Sequence, residues 1–240
     1  MTDATTSSAA SSSARAAILS RLRAAGGGGP LPPLDVTVLE RRQWPARERM
    51  ERLRKGMEAV HTEFLEATPG NWTAVARAFC DREGLKNLLY GPGSEAGARL
   101  AADWAADRGA GQGAGGTQLM PYDRPVEAFK DELFNGVDAG FTGTVGGVAE
   151  TGGLLLMPDA AEPRLMSLVP PIHLALLRAS TIQDSFWSAV KALGWGRRLP
   201  PNALMISGPS KTADIEQTLA YGVHGPKRLI VILVDDLELA

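Results

Sequence analysis

The chain reads as an α/β protein in three layers, with a mainly parallel sheet flanked by helices and a helical extension at the N-terminus. Three observations predict this. Short apolar runs alternate with helical stretches through the second half, the pattern of strands joined by crossover helices. Hydrophobic residues make up 44% and charged residues 22%, which matches a globular chain rather than a disordered one. With 240 residues, a chain can remove about 70–75% of its unfolded surface from water, enough for a full core.

The elements follow in order. Residues 1–13 are mostly Ser, Thr and Ala, with little to bury, so a disordered tail is expected. Further on, Ile18, Leu19 and Leu22 share one helical face, with Arg15, Arg21 and Arg23 largely elsewhere. A short amphipathic helix of this kind suits docking on the domain, on a partner or on a lipid surface. Residues 26–33 form a Gly/Pro linker, giving three segments: a tail at 1–13, a helix and linker at 14–35, and the main domain at 36–240. Met50, Leu53, Met57, Val60 and Phe64 step by three and four, which predicts one helix carrying all five, begun near Pro45 and stopped before Pro69-Gly70. His61 abuts that stripe and is expected to pack beside it. A helix over 71–82, a strand over 85–90 ended by Gly91-Pro92-Gly93, a helix over 94–106 and a flexible loop at 109–116 come next. Strands are expected at 154–157, 164–168, 174–177, 203–207 and 229–234, and helices at 181–193 and 212–221.

The bulk numbers exclude several classes. A net charge of −2 gives no electrostatic reason to expect a nucleic-acid partner or an anionic membrane. The longest purely apolar run, 229–234, is far too short to span a bilayer, and the N-terminus lacks the apolar core of a secretory signal, so the cytoplasm is the expected location. Cys80 is the single cysteine, so this chain cannot itself form an intramolecular disulfide or supply a cysteine set for an iron–sulfur cluster. It falls in the apolar pattern Val75, Ala76, Phe79, Cys80 and reads as a small buried hydrophobe. Metal-ligand spacings of the H-E-x-x-H kind are missing, and no bound metal is expected.

Two segments carry candidate chemistry. In Ala203-Leu-Met-Ile-Ser-Gly-Pro-Ser-Lys-Thr-Ala-Asp-Ile-Glu216 an apolar strand ends at Ser207 and Gly208-Pro209 turn the chain. Ser210 or Thr212 then caps a helix that Gly222 ends. Ligands of open α/β sheets bind beyond the carboxyl ends of strands, so helix-start amides beside Lys211 suit a small anionic ligand. Asp214 in the first turn argues against a multiply charged phosphate, and an ordinary capped helix explains the same residues. The second segment is Phe141-Thr-Gly-Thr-Val-Gly-Gly-Val-Ala-Glu-Thr-Gly-Gly153, where Thr142, Gly143 and Thr144 begin a glycine-rich stretch. Glu150 is its single charge, placed before a hairpin turn at Thr151-Gly152. A carboxylate in so apolar a stretch must be paired, hydrogen-bonded or protonated. It suits a general base, an acyl acceptor or an anchor for a ligand hydroxyl, and equally a partner for the amides of its own turn. His173 and His224 sit in turns beside strands and can converge on the same place. The expected site therefore joins two distant glycine-bearing turns above one edge of a shared sheet.

Gly143-Thr-Val-Gly-Gly-Val-Ala-Glu-Thr-Gly152, Ser167-Leu-Val-Pro-Pro-Ile-His173, Ile206-Ser-Gly-Pro-Ser-Lys-Thr-Ala-Asp-Ile-Glu216 and Gly222-Val-His-Gly-Pro226 together resemble the LUD domain. With the small helix before the linker, nearly the whole chain after Ser13 resembles the lactate utilization protein C (LutC/YkgG) family. It departs from the family pattern at Gly153, where a hydroxyl residue is common, and at Lys211, where arginine is common. The resemblance implies a fold like the NagB/RpiA/CoA-transferase group and a role in oxidising L-lactate to pyruvate as a subunit or accessory protein. It also implies iron–sulfur partner proteins that carry the clusters, with no cofactor on this chain. The fold group supplies an alternative, a free-standing small-molecule enzyme working through Glu150, as glutamate does in the CoA transferases.

Overall fold

The computed structural model describes residues 5–25, 35–109, 116–213, 219–221 and 225–238. The chain divides into two compact units, Met1–Val38 and Leu39–Ala240. In the first, α1 (Thr5–Ala25) begins inside the segment expected to be a disordered tail. Ile18, Leu19 and Leu22 of this helix are exposed. The Gly/Pro linker at 26–33 lies outside the described residues. After the short turn α2 (Thr37–Glu40), all further elements belong to the second unit.

That unit is built on six parallel strands in the order β1-β12-β7-β4-β2-β3. They are β1 (Glu63–Ala67), β2 (Asn87–Tyr90), β3 (Gln118–Pro121), β4 (Ala139–Gly143), β7 (Ile172–Arg178) and β12 (Arg228–Val234). The central strands are buried on both faces, which is why β7 and β12 read as unbroken apolar runs. One face is covered by α4 (Trp72–Arg82) and α5 (Glu95–Gly109), through Phe79, Leu100 and Trp104 packed on Phe141, Leu174, Leu176 and Ile232. Cys80 is in this layer, fully buried, its thiol pushed up to about 12 by burial. The other face is covered by α3 (Ala46–Glu58), α6 (Lys130–Asn135), α7 (Leu165–Leu168) and a second, four-stranded sheet. That sheet has the order β8-β5-β6-β9, with β5 (Gly146–Val148), β6 (Gly153–Leu156), β8 (Ile182–Gln183) and β9 (Leu204–Ile206). The helix α8 (Phe186–Ala192) is capped by Ser185, whose hydroxyl accepts from the Ser188 amide. The α/β class and the mainly parallel sheet stand as expected, with the small sheet as an addition the apolar pattern did not announce.

Several elements correct the sequence reading. The Met50 stripe does not run to Phe64 on one helix. α3 stops at Glu58, His61 takes a left-handed φ of 69° in an exposed turn, and Phe64 belongs to the edge strand β1. A step of four, such as Val60 to Phe64, fits a helical turn and strand alternation alike, so spacing misassigned the last two residues. The expected strand at 164–168 is the helical turn α7, because Met166 packs on Leu89, Phe129 and Leu133 instead of joining the sheet. The expected helix at 212–221 is replaced by β10 (Lys211–Ala213) paired antiparallel with β11 (Leu219–Tyr221). Antiparallel pairing satisfies the backbone at 211–213 and 219–221, so Thr212 starts no helix, and residues 214–218 lie outside the described residues.

Candidate functional site

The direction of the sheet positions the site. β2 connects through α5 on one face to β3, and β3 returns through α6 on the other face to β4, so the crossover sense reverses between β2 and β4. At such a switch point the loops leaving the two strands diverge and open a crevice beyond their carboxyl ends. A crevice of about 390 Å³ lies there, bounded by Gly93–Ala96 after β2, Gly143–Val145 after β4, Leu176 and Arg178 at the end of β7, and Met157, Asp159, Ala161 and Glu162 from the loop after β6.

Glu162 is its most constrained charged group. The Gly143 amide donates to both carboxylate oxygens, at 3.1 and 2.9 Å. A Cβ on Gly143 would meet the same two oxygens at 3.6 and 3.5 Å, ordinary van der Waals contact, so the carboxylate lies directly against this backbone. Burial raises its affinity for a proton above that of an ordinary carboxylate; hydrogen bonds from Ser94 and the Gly143 amide oppose the shift and the Asp159 charge adds to it. Asp159 in turn fixes the loop by accepting from the amides of Ala161 and Glu162, at 2.7 and 2.9 Å. Ser94 caps α5, accepting from the Gly97 amide at 3.0 Å. Two half-exposed cations face the opening. Arg178 Nη2 lies 3.7 Å from Glu95 Oε1, and Arg99 Nε lies 3.6 Å from Asp103 Oδ2, pairs too long for tight hydrogen bonds. Trp72, buried and stacked on Phe141, closes the inner wall.

On the opposite face of β4, Thr142 Oγ1 and His173 Nε2 form a buried hydrogen bond of 2.8 Å. His173 is in β7, 1% exposed rather than in a turn, and burial lowers its proton affinity to about 4, so it is neutral. Its Nδ1 has no hydrogen-bond partner among the described residues. Thr142 and Glu162 both line a small cleft with Ser167, so this pair borders the crevice without opening into it.

The residues singled out from sequence separate into three places. Gly143 and Thr144 line the crevice, and Thr144 is held by its amide and hydroxyl, which both donate to the Leu176 carbonyl. Glu150, Thr151 and Gly152 lie in the β5–β6 turn, which packs on α3: the Cβ position of Gly56 comes within 3.2 Å of Gly152 Cα. Glu150 is paired with Arg42 and does not line the crevice. Ser207 adjoins that turn, opposite Gly153, and Gly208 packs on Val60, so the two glycine-bearing turns do meet. They meet beside α3, however, and not beyond the carboxyl ends of the parallel strands. β9 is antiparallel to β6 in the small sheet, so its end points elsewhere. Pro209 continues the bend, and the Ser210 amide then donates to the Pro226 carbonyl. The amides of Lys227 and Arg228 donate to Pro171, so this segment follows the amino ends of β7 and β12. Lys211 and Thr212 are in β10, where no helix-start amides exist; Asp214 and His224 lie outside the described residues.

Sequence reasoning missed Ser94, Arg99, Asp159, Glu162 and Arg178. A signal for the first was present. Gly91-Pro92-Gly93 ends a strand and Ser94 opens a helix, the βα turn to which the carboxyl-end rule applies most directly.

Residues 50–234 match the LUD domain. The chain belongs to the LUD domain family. This LUD protein is 38% identical over 192 residues to an uncharacterized protein of Neisseria meningitidis serogroup B, covering 78% of this chain and 77% of that one. It is 28% identical over 191 residues to lactate utilization protein C of Shouchella clausii, covering 77% and 78% of the two chains. Its fold is shared with the crystal structure of a DUF162 family protein from Deinococcus radiodurans, with a TM-score of 0.57, 21% identity, and coverage of 80% of this chain and 99% of that one.

Proposed function

We propose that this LUD protein is a component of an L-lactate utilisation system, a subunit or accessory protein in the oxidation of L-lactate to pyruvate. What carries the reading is its likeness, over most of both chains, to several relatives named lactate utilization protein C. Electron transfer then falls to iron–sulfur partners. The chain's one cysteine, buried among Phe79, Ala76 and Leu88, is unsuited to ligating a cluster, which takes several thiolates. A cytoplasmic location belongs to the same proposal; among the described residues no helix is long and apolar enough to cross a membrane. The crevice at the β2/β4 switch point is the part of the chain that meets a small molecule in this reading.

The test is genetic. Deleting the gene from its host is expected to abolish or strongly slow growth on L-lactate, leave growth on pyruvate intact, and be reversed by a plasmid copy. Undiminished growth on L-lactate after deletion overturns the reading.

A further inference from the structure

The crevice sets a largely buried carboxyl and a half-exposed guanidinium at opposite ends of one short span. Gly143 pairs with Leu176 across β4 and β7, and Arg178 lies two residues further along β7. Two strand residues and one strand spacing separate the Gly143 and Arg178 backbones by about 8 Å. Gly143 shares the sheet face of Phe141, and Arg178 shares that of Leu174 and Leu176, so alternation sends both toward the α4/α5 layer. Glu162 stands at the Gly143 end, fixed by the Gly143 amide, and Arg178 stands at the other, its ion pair among the described residues being the loose contact to Glu95.

We propose that this crevice binds a short carboxylic acid with a hydroxyl or oxo group on the carbon beside the carboxylate, its carboxylate on Arg178 and its neighbouring oxygen against the carboxyl of Glu162. The inference rests on the lactate reading above and assigns the ligand class and its two anchors. A guanidinium offers a carboxylate two parallel N–H donors, and the pair gains strength where water is partly excluded. Glu162 has lone pairs left after the Gly143 and Ser94 contacts, enough to accept from a ligand hydroxyl; when protonated it donates to an oxo group. The charge pattern selects for such a ligand. Glu95, Asp159 and Glu162 outnumber Arg99 and Arg178, so each further negative charge on a ligand is disfavoured, and a multiply charged phosphate more than a monoanion. The volume of about 390 Å³ is roomy for three carbons, which makes the class, rather than lactate alone, the subject of the proposal.

Calorimetric titration of the full chain tests this with L-lactate, pyruvate, propanoate and inorganic phosphate as probes. L-lactate or pyruvate is expected to bind, with propanoate, which lacks the neighbouring oxygen, at least tenfold weaker. Arg178→Gln is expected to weaken lactate and propanoate alike by tenfold or more. Glu162→Gln is expected to narrow the preference of lactate over propanoate without weakening propanoate, whose carboxylate then faces one negative charge fewer, a pattern that general loss of folding would not produce. Absence of binding by both L-lactate and pyruvate at millimolar concentration overturns the inference, as does equal binding of lactate and propanoate, or phosphate binding tighter than either acid. The two readings fail separately. Growth on lactate that needs the gene, with no acid bound, removes only the ligand assignment; an acid bound in the crevice, with lactate growth independent of the gene, removes only the lactate role.

Discussion

Two glycine-bearing turns of this protein each lie beside a glutamate, one after β4 and one between β5 and β6, and their surroundings differ in kind. At the first, Glu162 from a distant loop is drawn down onto the Gly143 amide and largely buried. At the second, Glu150 is a third exposed and pairs with the half-exposed Arg42. Both turns are glycine-bearing; what separates them is the sheet each belongs to. β4 is parallel to its neighbours and its end opens at the switch point, whereas β5 and β6 form an antiparallel hairpin whose turn lands on a helix. A carboxylate becomes available for ligand chemistry through the direction of the strands that carry its neighbours, and glycine content alone does not decide it.

The largest expected effect tests whether the loop after β6 is held where this comparison needs it. A Cβ on Gly91 would stand 2.1 Å from the Ala161 carbonyl oxygen, a backbone atom that cannot swing aside. Gly91→Ala is expected to cost about 3 kcal/mol, or roughly 10 °C in the midpoint of thermal unfolding. An unchanged midpoint means the loop moves freely, and Glu162 loses its fixed position.

Next comes the buried pair behind the crevice. His173 is held neutral by burial, with a folded value near 4 against 6.5 for the free side chain. Between those values the unfolded chain binds more protons than the folded one, so stability falls as pH drops from 6.5 toward 4 and levels off below. The loss amounts to roughly 3 kcal/mol, read by chemical denaturation at successive pH values. His173→Gln is expected to flatten that slope; the same slope in the variant would assign the acid sensitivity to other groups.

The two glutamates then provide the direct contrast. The proton affinity of Glu162 is raised, so its folded form favours the protonated state, and the wild type loses stability as pH rises above the ordinary carboxylate range. Glu162→Gln is expected to remove that loss, with a midpoint at pH 7 equal to or above that of the wild type. A lower midpoint would show the charged carboxylate to be a structural necessity. The smallest effect is expected from Glu150→Gln, which interrupts a half-exposed ion pair worth at most about 1 kcal/mol. A larger drop in unfolding free energy would move importance back to the β5–β6 turn.

Legibility varied by element for physical reasons. β7 and β12 are buried on both faces, so their apolar runs announce them. α4 and α5 repeat apolar residues at helical spacing against one wall of the core and are equally plain. Short segments misled. Leu165 and Met166 fit a strand until α7 finds Leu89 and Phe129 to pack on, and Lys211 and Thr212 fit a helix start until β11 supplies a pairing partner. At the site, Gly143 and Thr144 were legible as part of a glycine-rich turn. Glu162 was not, because nothing near it in sequence says that an amide nineteen positions earlier will receive it.

Sequence alone determined the α/β class, the apolar strands of the central sheet, the buried place of Cys80 and the resemblance to the LUD domain, all of which rest on local pattern or motif. Tertiary structure decided which strands share a sheet, which way β9 points and therefore which turn opens at the carboxyl ends. Strand pairing is a contact between residues far apart in the chain, and three apolar residues such as Leu204, Met205 and Ile206 pair parallel or antiparallel equally well until their neighbours are in place.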